Sequence, residues 1–306
     1  MTCPLFFWSV IYLSVFIGSG VALVTPFDRN GKINYNKLKD LIDYQIKNET
    51  DSIIICGTTG EGSTIELSEK IECFEKAARY ADGRVPIIAG TGSNSTAYSQ
   101  KLITEAEKTG IDAHLIVTPY YNKTSQKGII EHYYTLADTA KKPIIVYNVP
   151  SRTGVNIQSE TYYELSKHPN IVAVKEANGN LTQMMNTIRL CRDNLDVYVG
   201  NDDQIASSTA MGAKGVISVL ANICPKETHD MAISGIIGDT EKSHILQMKY
   251  LKLISLLFSD VNPIPIKEAM NYLHMEVGPL RLPLVKMNKE KAKKLFDEID
   301  RLKIRI

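Results

Sequence analysis

From Val21 onward the chain alternates between short apolar runs that end in Gly, Pro or polar residues and longer amphipathic stretches. The runs cover residues 21–25, 52–56, 85–89, 113–118, 143–147, 171–175, 197–200 and 215–219. They are rich in Ile and Val and lack strict polar alternation, the pattern of parallel strands covered on both faces. Between them, apolar residues recur at helical spacing: Leu38, Leu41, Ile42 and Ile46 share one face, and Leu102, Ile103 and Ala106 another. Ser68 stands where an N-cap would, with Glu69 and Glu72 in the first turn. Eight such units, about 25–30 residues apart, predict a (β/α)8 TIM barrel over residues 18–237. A doubly wound sheet is the structural alternative, but it usually has fewer strands and a nucleotide loop near the first. Residues 238–306 read as a C-terminal region of three helices, the last with Ala292, Leu295, Phe296, Ile299 and Leu302 on one face.

Residues 1–17 form an apolar N-terminal extension, and nothing before Asp28 is charged. A signal peptide or membrane anchor would fit the apolarity. However, no basic residue precedes the run, and Gly18, Ser19 and Gly20 break it well short of the roughly 20 residues a spanning helix needs. The segment favours a cytoplasmic protein whose structured part starts after Gly18, so that removing residues 1–13 leaves it folded. The whole chain has 306 residues, 35 Lys+Arg against 34 Asp+Glu, and a net charge of +1. No broad field draws nucleic acid or an anionic membrane, so a charged ligand must be held by a few local residues. The five cysteines and six histidines are scattered, with no CxxC and no zinc-ligand spacing, which argues against a disulfide framework or a structural metal. Gly90, Thr91 and Gly92 are only a fragment of a dinucleotide fingerprint, and no Lys follows residues 57–62 as a P-loop requires.

Active sites of such barrels lie at the C-terminal ends of the strands. Those positions carry Thr58 and Thr59 after strand 2, Tyr120 and Tyr121 after strand 4, Tyr147 on strand 5, Lys175 on strand 6, and Asn201 and Asp202 after strand 7. A period of two places Ile171, Ala173 and Lys175 on one face. A Lys facing a barrel interior loses hydration, which favours the neutral amine of a Schiff-base nucleophile. The spacing serves equally a strand-end Lys that reaches solvent or pairs with Glu176. Tyr147 shares a face with Ile145, so its hydroxyl could pass a proton at an imine, or the ring could simply fill the barrel. Thr58 and Thr59 could offer hydroxyls to a carboxylate or a proton chain, or only cap a tight turn. Arg152 could hold a second carboxylate through its fork, or be a solvated loop charge.

The strings GTTGEG (57–62), TPYYNKTSQ (118–126), YNVPSRTG (147–154), KEANGN (175–180) and NPIPIK (262–267) resemble the 4-hydroxy-tetrahydrodipicolinate synthase (dihydrodipicolinate synthase) family of Schiff-base aldolases. The likeness runs from about Gly18 to the last helix, with the motifs in family order. It implies condensation of pyruvate with L-aspartate-4-semialdehyde in the diaminopimelate route to lysine, with no cofactor and no metal. Lys175 would form the Schiff base, and Tyr147, Thr58 and Tyr121 would relay protons. Thr59 would hold the pyruvate carboxylate, Ile217 would line the pocket, and Arg152 would receive the carboxylate of the semialdehyde. A sister lyase acting on N-acetylneuraminate or keto-sugar acids would share the Lys and Tyr, but Arg152 and the paired tyrosines favour the synthase. The likeness also implies a homotetramer of tight dimers in which Tyr121 serves the neighbour's site, and neither nucleic acid nor membrane as partner. Where relatives commonly carry Gly-Asp-Asp after strand 7, this chain has Asn201 before Asp202 and Asp203. Lysine-sensitive relatives bind lysine at the dimer interface. Asn94 and Tyr120 match that site, but Leu67, Tyr98 and Lys70 stand where His, Glu and His are usual, so lysine inhibition is expected to be weak or absent.

Overall fold

The computed structural model describes residues 14–306, so Cys3 and the expectations for residues 1–13 lie outside the described residues. Eight parallel strands close into a barrel in chain order. They are β1 (Gly18–Ala22), β2 (Ser52–Ile55), β3 (Ile87–Gly90), β4 (Ala113–Val117), β5 (Ile144–Asn148), β6 (Ile171–Glu176), β7 (Asp196–Val199) and β8 (Gly215–Ser218). Helices α1 (Tyr35–Lys47), α2 (Leu67–Ala81), α3 (Thr96–Ala106) and α4 (Gln126–Thr139) follow the first four strands. After β5 come the one-turn α5 (Pro150–Thr153) and α6 (Ser159–Leu165), then α7 (Leu181–Cys191), α8 (Ile205–Ala210) and α9 (Pro225–Ile236). The C-terminal region adds α10 (Thr240–Leu257), α11 (Ile264–Tyr272) and α12 (Lys289–Leu302). The expected TIM barrel with three C-terminal helices is therefore what forms. Among the described residues no helix is long and apolar enough to cross a membrane.

The apolar strands feed two cores because alternate side chains leave opposite faces. Ile53, Ile87, Ile144, Val146, Val174 and Val216 meet the helices, whereas Ile54, Ile88, Leu115, Ile145, Ala173, Tyr198 and Ile217 fill the barrel. The C-terminal helices extend the outer core through Leu253, Ile266, Met270, Leu295 and Ile299.

Three local expectations are corrected. The first strand begins at Gly18 rather than Val21: the glycines that look like a break pair within β1, Gly18 beside Gly215 and Gly20 beside Ile217. A Cβ on Gly20 would come within 2.9 Å of the Phe16 ring, so the bare backbone makes room for that residue. Phe16 stacks on Tyr198 at 4.2 Å between centroids, and the Tyr198 hydroxyl donates to the Phe16 carbonyl at 2.8 Å. Ser68 does not cap α2. Glu66 does, its N–H bonded at 3.1 Å to the side chain of Glu69, which lies in the first turn whereas Glu72 does not. Finally, Ile171 does not share the face of Lys175. A bulge in β6 lets Ile144 pair with Ile171 but Ile145 with Ala173, so Ile171 joins the outer core while Ala173 stays inside.

Candidate active site

At the C-terminal end of the barrel, Ala22, Ile54, Leu115 and Val219 floor a cavity of about 180 Å³. Thr58, Thr59, Tyr147, Arg152 and Lys175 all line it, together with Gly200, Asn201, Phe258 and Asn262. Lys175 is 6 % exposed, and its partner across the β5–β6 ladder is Tyr147. Lys175 Nζ lies 4.5 Å from the centre of the Tyr147 ring. Gly200 makes this burial feasible: a Cβ there would come within 2.9 Å of Lys175 Cε. Here a glycine at a strand end is space for the amine's stem.

Lys175 does not pair with Glu176, because neighbours on a strand face opposite ways. The Glu176 carboxylate lies behind the barrel wall, where it accepts from Tyr162 Oη at 2.8 Å, Asn148 Nδ2 at 3.0 Å and the Asn178 N–H at 2.9 Å. Burial pushes its pKa up from 4.5 to about 7 against those donors. Its folded pKa exceeds the unfolded one, so the folded state binds the extra proton between pH 4.5 and 7, and stability falls as pH rises through that window. That single group accounts for about 3 kcal/mol over the window, at 1.36 kcal/mol per pKa unit. Urea titrations at pH 4.5 and 8 should show this decline in the parent and lack it in Glu176→Gln; equal slopes would contradict the assignment.

The GTTGE turn is built by Glu61 N–H to the Thr58 carbonyl and Gly62 N–H to the Gly57 carbonyl, both 3.1 Å, with Thr25 Oγ1 on the Gly60 carbonyl at 2.7 Å. Thr59 is 2 % exposed and Thr58 half-buried. Arg152 sits on α5, which Pro150 opens and Gly154 closes with its N–H on the Pro150 carbonyl at 2.9 Å. It is exposed at the mouth, and its Nη2 donates to the Asn262 carbonyl at 3.2 Å. The side chain of Asn262 donates from Nδ2 to Thr59 Oγ1 at 3.0 Å.

Two expected residues stand apart. Ile217 is fully buried inside the barrel and does not line the cavity, while Tyr121 is 91 % exposed and reaches neither this cavity nor its neighbour. The neighbouring cavity, about 450 Å³, shares Thr58, Tyr147 and Arg152 and adds Lys70, Tyr98 and Tyr120. Burial lowers the Lys70 pKa, and Leu67 packs instead toward the outer core. Sequence reasoning missed Phe258, Gly200 and Asn262. Asn262 opens the quoted NPIPIK string, the one signal that pointed to it. Among the described residues, one cluster could place three ligand atoms around an ion: Glu49, His229 and Asp230. Lys226 already bridges it, 2.7 Å from Glu49 and 2.9 Å from Asp230.

Comparison with known proteins shows the family to which the chain belongs. The family model described as the dihydrodipicolinate synthetase family matches residues 15–302. The 4-hydroxy-tetrahydrodipicolinate synthase of Lachnoclostridium phytofermentans is 51 % identical over 95 % of this chain and 99 % of its own. The dihydrodipicolinate synthase structure from Aquifex aeolicus superposes with a TM-score of 0.93 at 38 % identity, covering 95 % of this chain and 99 % of that one. The chloride-inhibited enzyme from Acinetobacter baumannii, solved in complex with pyruvate, gives a TM-score of 0.93 at 37 % identity, covering 94 % and 99 %. With a match across nearly its whole length, the chain belongs to the dihydrodipicolinate synthetase family.

Proposed function

We propose that this protein condenses pyruvate with L-aspartate-4-semialdehyde to 4-hydroxy-tetrahydrodipicolinate, with Lys175 as the Schiff-base nucleophile. The observation that carries this reading is the buried Lys175 amine beside Tyr147, in a cavity that also presents Thr59 and Arg152. The amine adds to the ketone carbonyl of pyruvate, and water leaves. The resulting imine draws electrons from the methyl carbon, which gives up a proton to become an enamine. The enamine carbon bonds to the aldehyde carbon, whose oxygen takes a proton. The amino group of the second substrate then displaces Lys175 from the imine carbon and closes the ring. Tyr147 is assigned the proton traffic, with Thr58 beside it in the relay. Thr59 is assigned the pyruvate carboxylate, Arg152 the second carboxylate by its paired N–H groups, and Ile217 support of the pocket from beneath. Steady-state assays should show turnover with aspartate-4-semialdehyde and none with N-acetylneuraminate or keto-sugar acids; the reverse preference would replace this reading with that of the sister lyase.

Tyr121 is placed in the relay of a neighbouring copy, within a tetramer of tight dimers. Its 91 % exposure, at a backbone φ of +70°, presents a large ring away from its own cavity. Turnover should fall when dilution separates the subunits, as followed by sedimentation, and a monomer with full turnover would remove Tyr121 from the site. A cytoplasmic location suits the four described cysteines, all buried and free.

Lysine, the distal product, should inhibit poorly. Lys70 and Tyr98 line the cavity next to the site, so a cationic ligand there meets the buried Lys70 amine, and the acidic residue of the lining, Glu66, is exposed and already engaged in capping α2. Such contacts cost about 2–5 kcal/mol each. Half-inhibition should need more than about 1 mM lysine, and a lower value in the coupled assay would show that the cavity still accepts the amino acid.

A further inference from the structure

Asn262 joins the two residues assigned to the substrates' carboxylates. Its Nδ2 donates to Thr59 Oγ1 at 3.0 Å, and its backbone carbonyl accepts from Arg152 Nη2 at 3.2 Å. The residue is 7 % exposed and lines the cavity. Its remaining polar atom, Oδ1, is buried and has no hydrogen-bond partner. Of the described buried side-chain atoms left in that condition, Oδ1 alone belongs to a residue of this cavity. An orphaned buried acceptor costs free energy unless a ligand meets it.

The orientation of the amide follows from the chemistry of Thr59, given the function proposed above. A hydroxyl has one proton to give, and Thr59 must spend it on the pyruvate carboxylate. It therefore accepts from Asn262, which requires Nδ2 to face Thr59 and leaves Oδ1 to accept from something else. Pyruvate offers no donor. The second substrate carries an ammonium group, with three N–H donors and a positive charge that favour a carbonyl oxygen.

We infer that Asn262 Oδ1 is the acceptor that reads the ammonium group of the amino-aldehyde substrate, while the same residue holds Thr59 and Arg152 in register. One side chain from the C-terminal region thereby makes the cavity select an α-amino aldehyde over the same aldehyde lacking the amine.

The test compares the KM for aspartate-4-semialdehyde with the inhibition constant of succinic semialdehyde, which has the same carboxylate and aldehyde but no amine. Asn262→Ala should raise the first about 10- to 100-fold, the range for a lost hydrogen bond to a charged group, and the second less than about threefold. Asn262→Asp keeps an acceptor but no donor for Thr59, so it should hold the KM for the amino aldehyde near its parent value and raise that for pyruvate. If the alanine variant fails to fold by circular dichroism, Asn262→Ser, whose shorter hydroxyl leaves the ammonium unmet, should show the same split. Equal shifts for both aldehydes, or none, would overturn the proposal. Borohydride trapping with pyruvate in the same samples separates the two levels: no adduct in the parent protein condemns the Schiff-base reading, whereas an adduct with an unchanged ratio condemns only the role of Asn262.

Discussion

Replacing Lys175 by alanine lowers the rate of condensation by about 10³-fold or more and leaves a folded barrel. Two effects disappear together. Without the imine, the methyl carbon of pyruvate has no electron sink and stays unreactive. Without the covalent link, pyruvate is no longer tethered at the effective molarity that turns a bimolecular step into an intramolecular one, a term that alone reaches about 7–11 kcal/mol in well-oriented systems. Folding should survive, because the wall beneath the residue is apolar: Ala173, Ile145 and Ile54 pack there independently of it. Circular dichroism and a cooperative thermal transition would establish that the loss is chemical. A variant that kept a tenth of the parental turnover would mean that another group carries the covalent step.

The largest effect on stability is expected at Lys267, on α11, which forms a buried ion pair with Glu61 of the GTTGE turn. Lys267 Nζ lies 2.7 Å from Glu61 Oε1 and donates to the Pro279 carbonyl at 2.8 Å, with both side chains essentially inaccessible. Burial lowers the Lys267 pKa to about 8 in spite of that partner. The second Glu61 oxygen accepts the Arg281 N–H at 2.9 Å, and the Arg281 guanidinium grips Glu69 with two bonds of 2.7 and 2.6 Å. The C-terminal region is thus bolted to the turn that carries Thr58 and Thr59. Lys267→Met strands the Glu61 charge in the interior, which should cost about 3–5 kcal/mol in urea denaturation. Removing both charges, as in Lys267→Met with Glu61→Gln, should cost clearly less than the single change. Losses that simply add would show that no buried pair exists.

The alternation of Ile- and Val-rich runs with amphipathic stretches is a local property, and it was enough for the barrel and for the three C-terminal helices. The misjudged details share a cause in tertiary contact. Gly18 and Gly20 look like chain breakers until Gly215 and Phe16 come up against them. The face count along β6 assumes a regular strand, whereas the register against β5 shifts beside Ile171. Glu66 caps α2 in place of Ser68 through its own exchange with Glu69, a choice between candidates two positions apart that composition leaves open. In the site, Lys175, Tyr147, Thr58, Thr59 and Arg152 were legible because each ends a strand or follows one. Asn262 was not, because its partner Thr59 lies 203 positions away and meets it only when the C-terminal region folds back over the barrel mouth.

The central claim is that pyruvate becomes covalently attached to one buried amine. Incubating the protein with pyruvate, reducing with borohydride and mapping the digest by mass spectrometry tests it directly. The account predicts one reduced pyruvate adduct per chain, on the peptide containing Lys175, and none in Lys175→Ala. An adduct on any other lysine, or no adduct in an active preparation, would contradict it.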